Sequence, residues 1–266
     1  MARRKKAGQR PRVGLVLGAG SARGIAHIGV LQVLAEAGIT FDLLVGSSMG
    51  ALIGAIYGAG ANLYLLQKLF EELNFNRLMD FQLPGSGFVG GRKIRDFTYL
   101  LTKGKRFEEL SVPLAVVATD IRAGKRVVLT SGLVSEAVRA SISIPGVFTP
   151  VEMGDMLLVD GAVSDRLPIE LARELGCQRV VAVDVNFGME RETELKNPLQ
   201  VLLAAIDLLE RRIFVDLVKP GADILVQPML GHIGSGSFER AAECVRLGRE
   251  ATLAALPQIR AACGMD

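Results

Sequence analysis

The stretch FDLLVGSSMGALIGAIYGAG, residues 41–60, decides the reading of this chain. FDLLVG is an apolar run that stops at a glycine, as a buried strand does. After two serines the chain resumes as SMGALIGAIYGAG, with the spacing of an apolar helix. A strand, a sharp turn and a helix form the setting of a nucleophile elbow, and Gly46-Ser47-Ser48-Met49-Gly50 supplies its G-x-S-x-G string. The sharp turn needs small flanking residues, here Gly46 and Gly50. The central Ser48 is then thrown out at the strand's C-terminal end, under the positive end of the helix. Ser47 occupies an x position and points away. The string alone is weak evidence among 30 glycines, because a tight packing turn would read the same. The strand–turn–helix setting favours a nucleophile.

Working outward, VGLVLG (13–18) reads as a buried strand, GAGSARG (18–24) as a glycine loop and IAHIGVLQVLAEAG (25–38) as a helix ended by glycine. Residues 62–73 are amphipathic and 74–93 loop-like. Strands are predicted at 112–120, 125–132, 156–163, 179–185 and 222–228, with the second paired to the first through the turn at Arg122–Lys125. Helices are predicted at 134–141, 167–176, 197–219 and 237–256, and 143–150 is an irregular, proline-bounded link. The alternation of strands and helices predicts an α/β fold with a mostly parallel sheet. With no internal repeat or low-complexity linker, one domain over 13–266 is the simplest partition.

Composition sets limits on function. Residues 1–12 hold six basic residues and no acidic one, so a formal net charge of +3 less six leaves a body of −3. The positive charge is an arm, read as solvated, with contact to an anionic membrane as its alternative role. Nucleic acid is not an expected partner. The apolar run 13–20 is too short for a signal peptide and lacks a cleavage site. Residues 43–61 lack charge but contain five glycines and two serines, and read as buried structure rather than a membrane span. Cys177, Cys244 and Cys263 are odd in number and widely spaced, as in a reducing cytosol. The expected location is cytoplasmic, with peripheral contact at the inner membrane surface.

Three further features bear on chemistry. The loop Gly18-Ala19-Gly20-Ser21-Ala22-Arg23-Gly24 offers backbone N–H groups at a helix start, which suit an anion. That anion is an oxyanion in an acyl hydrolase or a pyrophosphate in a dinucleotide enzyme, and Asp42 downstream suits a ribose. Alone, the loop leans toward the nucleotide; the elbow after the next strand tips it back. Asp160-Gly161 ends a strand, where an acid can face a cleft, although Asp-Gly is also a common turn, and on this feature alone the turn is the better reading. His27 lies in a helix and His232 in GHIGSG (231–236), neither at a strand end beside an acid. If Ser48 is a nucleophile, a carboxylate is the better base.

GAGSARGIAHIGVLQVLAEAGI, GSSMGALIGA, SISIPGVFTPV and VDGAVSDRLPIELARELG resemble successive blocks of bacterial patatin-like phospholipases. The likeness runs over nearly the whole chain after residue 12. It implies a three-layer α/β/α sandwich and lipid acyl ester hydrolysis by a Ser–Asp dyad, with no metal or cofactor. It assigns Ser48 and Asp160 of Asp160-Gly161-Ala162 as the dyad, and Gly18, Ala19, Gly20 and Arg23 to the oxyanion loop. Ala19 departs from the family's usual glycine. A lipid substrate calls for an apolar entry, for which residues 62–101, with Leu63, Leu66, Leu69, Phe70, Phe81, Phe88 and Phe97, are candidates; an ordinary packed helix and loop is an equal reading. The alternatives are an acyltransferase of the malonyl-transfer type using His232, a dinucleotide reductase using Asp42 with Tyr64 and Lys68, and a regulatory protein with a retained pocket.

Overall fold

The computed structural model describes residues 10–80, 87–188 and 221–265, together with Val201, Ala204, Ala205 and Leu208. The basic arm before Arg10, residues 81–86 with Phe81 and the PGS of PGSGFVGG, and most of the expected helix 197–219 lie outside the described residues.

An eight-stranded sheet runs through the molecule. Its parallel half is β1 (Val13–Leu17), β2 (Leu43–Ser47), β4 (Leu114–Asp120), β9 (Arg179–Val183) and β10 (Ile224–Val226), in the spatial order β10-β9-β1-β2-β4. Its other half is antiparallel: β5 (Lys125–Leu129) and β8 (Met156–Asp160) pair with β4, and β7 (Val151–Met153) pairs with β8. β3 (Gly87–Val89) and β6 (Gly146–Phe148) form a separate parallel pair.

The parallel strands are apolar throughout because both faces are covered. Alternate side chains enter opposite layers. Leu15, Leu17, Leu44, Val116, Val181 and Val183 face one core. That layer holds α1 (Ala26–Glu36), α2 (Met49–Gly58), α3 (Leu63–Glu72), α4 (Arg92–Leu101), α5 (Val134–Ser141) and α8 (Ala241–Ala262). Val16, Val45, Ala115, Val117, Val180 and Ala182 face the other, against Leu171 and Ala172 of α7 (Ile169–Glu174). Between β8 and α7, one helical turn forms α6 (Ala162–Asp165). The α/β/α layering and mostly parallel sheet expected from the sequence are present.

Some local expectations need correction. The stretch 74–93, read as loop-like, contains β3 and the start of α4, which follows Gly91 at φ 80°. The link 143–150 contains β6, and β7 was not anticipated. α8 continues through Pro257 to Ala262, where buried Ile259 and Cys263 tie its end to the core. Arg10 pairs with Asp42 at 2.9 Å, and Arg12 donates to the Leu175 carbonyl at 2.9 Å. These two basic residues therefore belong to the body of the fold rather than to an arm.

Candidate active site

Ser48 alone forms the turn between β2 and α2. Its backbone sits at φ 52° and ψ −121°, a conformation that persists only where the surroundings enforce it. A Cβ on Gly50 would lie 2.1 Å from the Leu17 carbonyl oxygen, and one on Gly46 would lie 2.5 Å from Ala51 Cα. The flanking glycines are thus required by close approach. The Ser48 N–H donates to Ser141 Oγ at 2.8 Å, which holds the strained turn from α5. Ser47 is fully buried, lies outside the cavity lining and points away, as expected.

Asp160 is the last residue of β8. The antiparallel register sets it opposite Ala118, just beyond the span of β4 that pairs with β2. Ser48 Oγ donates to Asp160 Oδ2 at 2.7 Å, and the Ala162 N–H donates to Oδ1 at 2.9 Å. A Cβ on Gly161 would lie 2.4 Å from the Val117 carbonyl, so the Asp-Gly turn must pack closely on β4. Burial pushes the Asp160 carboxyl up to about 7, against the pull of the Ala162 and Ser48 donors. A base near neutrality takes a proton better than an ordinary carboxylate does.

Both side chains line a cavity of about 250 Å³. Its apolar walls include Met49, Leu52, Phe75, Ile94, Ile144 and Phe148. The entry-forming residues differ from those expected. Leu63, Leu66 and Phe70 are core residues and Leu69 and Phe97 pack against the core, while Phe88 is exposed. From the 62–101 region, Phe75, Leu78, Met79 and Ile94 reach the cavity instead.

The glycine loop divides its N–H groups. That of Gly18 donates to the Val183 carbonyl at 3.2 Å and that of Ala19 to the Arg166 carbonyl at 2.9 Å. Both are spent on the fold, so neither is an oxyanion donor as expected. Gly20 and Ser21 line the cavity, and no acceptor among the described residues takes their N–H groups. Ser21, at φ 46°, was not among the residues assigned to the oxyanion loop. Its signal was present as the next amide before a helical turn. Arg23 is buried and lines the same cavity.

Neither histidine lines the cavity that holds Ser48 and Asp160. His27 is fully buried and donates Nε2–H to the Gly18 carbonyl at 2.8 Å; burial lowers its pKa to about 4, so it stays neutral. His232 lies at the surface, 2.9 Å from Glu243 Oε1. Asp42 accepts the Val13 N–H at 2.8 Å, at the start of β1 and β2. The loop lies at their far ends, so Asp42 cannot reach a ribose there. Tyr64 donates to Glu36 on the outer face of α3. Among the described residues no group of three His, Cys, Asp or Glu side chains is arranged to hold a metal.

The patatin-like phospholipase family model matches residues 15–173. The chain belongs to the patatin-like phospholipase family. That span includes the loop, the elbow and Asp160. The chain is 38% identical over 189 residues to an uncharacterized NTE family protein of Mycobacterium tuberculosis, covering 69% of this chain and 52% of that protein. It is 34% identical over 191 residues to human patatin-like phospholipase domain-containing protein 6, covering 69% of this chain and 14% of that one. It thus spans about half the length of the mycobacterial relative. VipD from Legionella pneumophila shares the fold, with TM-score 0.66 at 16% identity, covering 95% of this chain and 67% of VipD.

Proposed function

We propose that the chain is a lipid acyl hydrolase, cleaving carboxylic esters of phospholipids or related fatty acyl esters through a Ser–Asp dyad. The observation that carries this is the 2.7 Å hydrogen bond from Ser48 Oγ to buried Asp160 Oδ2, beside an apolar cavity. The nucleophile and its base are within proton-transfer distance, and the walls suit an acyl chain.

The reaction has two halves. Asp160 takes the Ser48 proton as Oγ attacks the ester carbonyl. The developing oxyanion is held by the N–H groups of Gly20 and Ser21. Collapse expels the alcohol, which receives the proton from Asp160, and leaves an acyl-serine. Water then attacks with Asp160 again as base, and the fatty acid departs. These steps use no metal or organic cofactor.

Labelling with a fluorophosphonate followed by peptide mapping tests the proposal. Modification at Ser48, abolished in Ser48→Ala, is expected. A folded, unlabelled wild-type protein would favour a regulatory role, and labelling at another serine would move the site.

A further inference from the structure

The loop that presents the Gly20 N–H is aimed from outside itself. Peptide 18–19 is held at both ends: His27 Nε2–H donates to the Gly18 carbonyl, and the Ala19 N–H donates to Arg166. In peptide 19–20 the carbonyl of Ala19 accepts from Asn186 Nδ2 at 3.1 Å. A trans peptide points its carbonyl and its N–H in opposite directions, and no cis bond occurs among the described residues. Fixing the Ala19 carbonyl on Asn186 therefore fixes the opposite direction of the N–H of Gly20, a cavity-lining residue.

Asn186 is itself tied down. Its own N–H donates to Asp184 Oδ1 at 3.1 Å, and Asp184 forms a buried ion pair with Arg166 at 3.3 Å. Arg166 in turn offers the carbonyl that receives the Ala19 N–H. Ala19, Arg166, Asp184 and Asn186 thus close a ring around one residue of the loop. The Asn186 side chain lines the cavity and is buried, yet its Oδ1 has no hydrogen-bond partner. Turning the amide over would set Oδ1 against the Ala19 carbonyl, so the orientation is fixed. A buried acceptor left unmatched argues against a purely stabilising role for this side chain.

We propose that Asn186 is a positioning residue for the oxyanion site, acting through the Ala19–Gly20 peptide. It need not touch the reacting atoms. This rests on the Ser48 reading, because an oxyanion forms there only if Ser48 attacks. Losing its donor lets peptide 19–20 rotate, which weakens binding of the transition state and leaves the cavity walls intact.

The test compares wild type with Asn186→Leu, which keeps the volume without the donor, and Asn186→Asp, which keeps the shape but replaces donor with acceptor. Both are expected to lower kcat about 10- to 100-fold, less than outright loss of an oxyanion donor, with KM within about threefold. A trifluoromethyl ketone carrying an acyl chain forms a tetrahedral adduct on serine, so its inhibition constant should weaken in proportion to the fall in kcat/KM. Melting within a few degrees of wild type shows that the fold is kept; if one variant fails to fold, the other decides. Unchanged kcat/KM and ketone affinity in a folded variant, with Ser48 labelled in wild type, would overturn the role of Asn186 alone. Absence of Ser48 labelling in wild type would overturn the nucleophile and the proposal together.

Discussion

The two strand-to-helix turns at the heart of the site use glycine and serine for opposite purposes. The turn after β2 is one residue long and exists to hold a side chain: strain at Ser48 and close approach at Gly46 and Gly50 present a hydroxyl. The turn after β1 exists to hold main chain. Two of its N–H groups are consumed by Val183 and Arg166, and the next two belong to cavity-lining residues with no acceptor among the described residues. The first turn can be read from its own sequence. The second depends on partners at Arg166 and Asn186, distant in the chain.

The largest expected effect is at the side-chain turn. Ser48→Ala should keep the fold and lower kcat by a factor on the order of 10⁶, as in serine enzymes whose nucleophile is removed. Ester hydrolysis near the wild-type rate in a pure Ser48→Ala sample would end the acyl-enzyme account. Asp160→Asn should also lose nearly all activity, but with a gain in stability. Asp160 is held protonated in the fold up to about 7, whereas in the unfolded chain it ionises above about 4. Stability therefore falls as pH rises from about 4 to about 7 and stays low above, by on the order of 4 kcal/mol at most. Asp160→Asn removes that loss. Its melting temperature should exceed that of wild type at pH 8 and match it near pH 4; a lower melting temperature at pH 8 would show that the carboxylate supports the fold.

The main-chain turn should respond more moderately. A Cβ on Gly20 would lie 2.4 Å from Val185 Cγ2, so Gly20→Ala must displace the loop. The expected loss is about 100-fold in kcat, the lower end for one oxyanion donor, with KM little changed. Pairing it with Val185→Ala removes the clash and should return most of the rate. A double variant as slow as the single one would mean that displacement of the loop is not the cause.

How much of this could be read from the sequence follows the same division. Ser48, Gly46, Gly50 and the parallel strands each leave a local mark, a motif or an apolar run, whereas Asp160-Gly161 alone read better as a turn and was assigned through the family resemblance. That the N–H groups of Gly18 and Ala19 are taken could not be read from the glycine loop, because their acceptors lie on strands and loops more than 140 residues away. Ser141, which holds the elbow, opens the block SISIPGVFTPV, but nothing in that block marks it as the elbow's partner. α4 was passed over for another reason: glycines at 85, 87, 90 and 91 suggested a loop, although Ile94, Phe97 and Leu101 already had helical spacing.

The smallest effects belong to the histidines. His232→Gln should leave activity within about twofold, because its partner Glu243 lies at the surface. His27→Asn should cost more than His232→Gln but far less than Asp160→Asn, since it removes a bond to the Gly18 carbonyl rather than a base. A thousandfold loss in a normally melting His232→Gln protein would restore a histidine-dependent reaction.

The most direct test of the dyad is the rate at which a fluorophosphonate modifies Ser48 as pH is varied, in wild type, Asp160→Asn and His232→Gln. The base must be ionised to accept the proton. Wild type and His232→Gln should therefore share a profile that rises about tenfold per unit below pH 7 and levels above it, while Asp160→Asn should be slow throughout. Labelling of Asp160→Asn at the wild-type rate across this range would contradict the assignment of Asp160 as the base of Ser48.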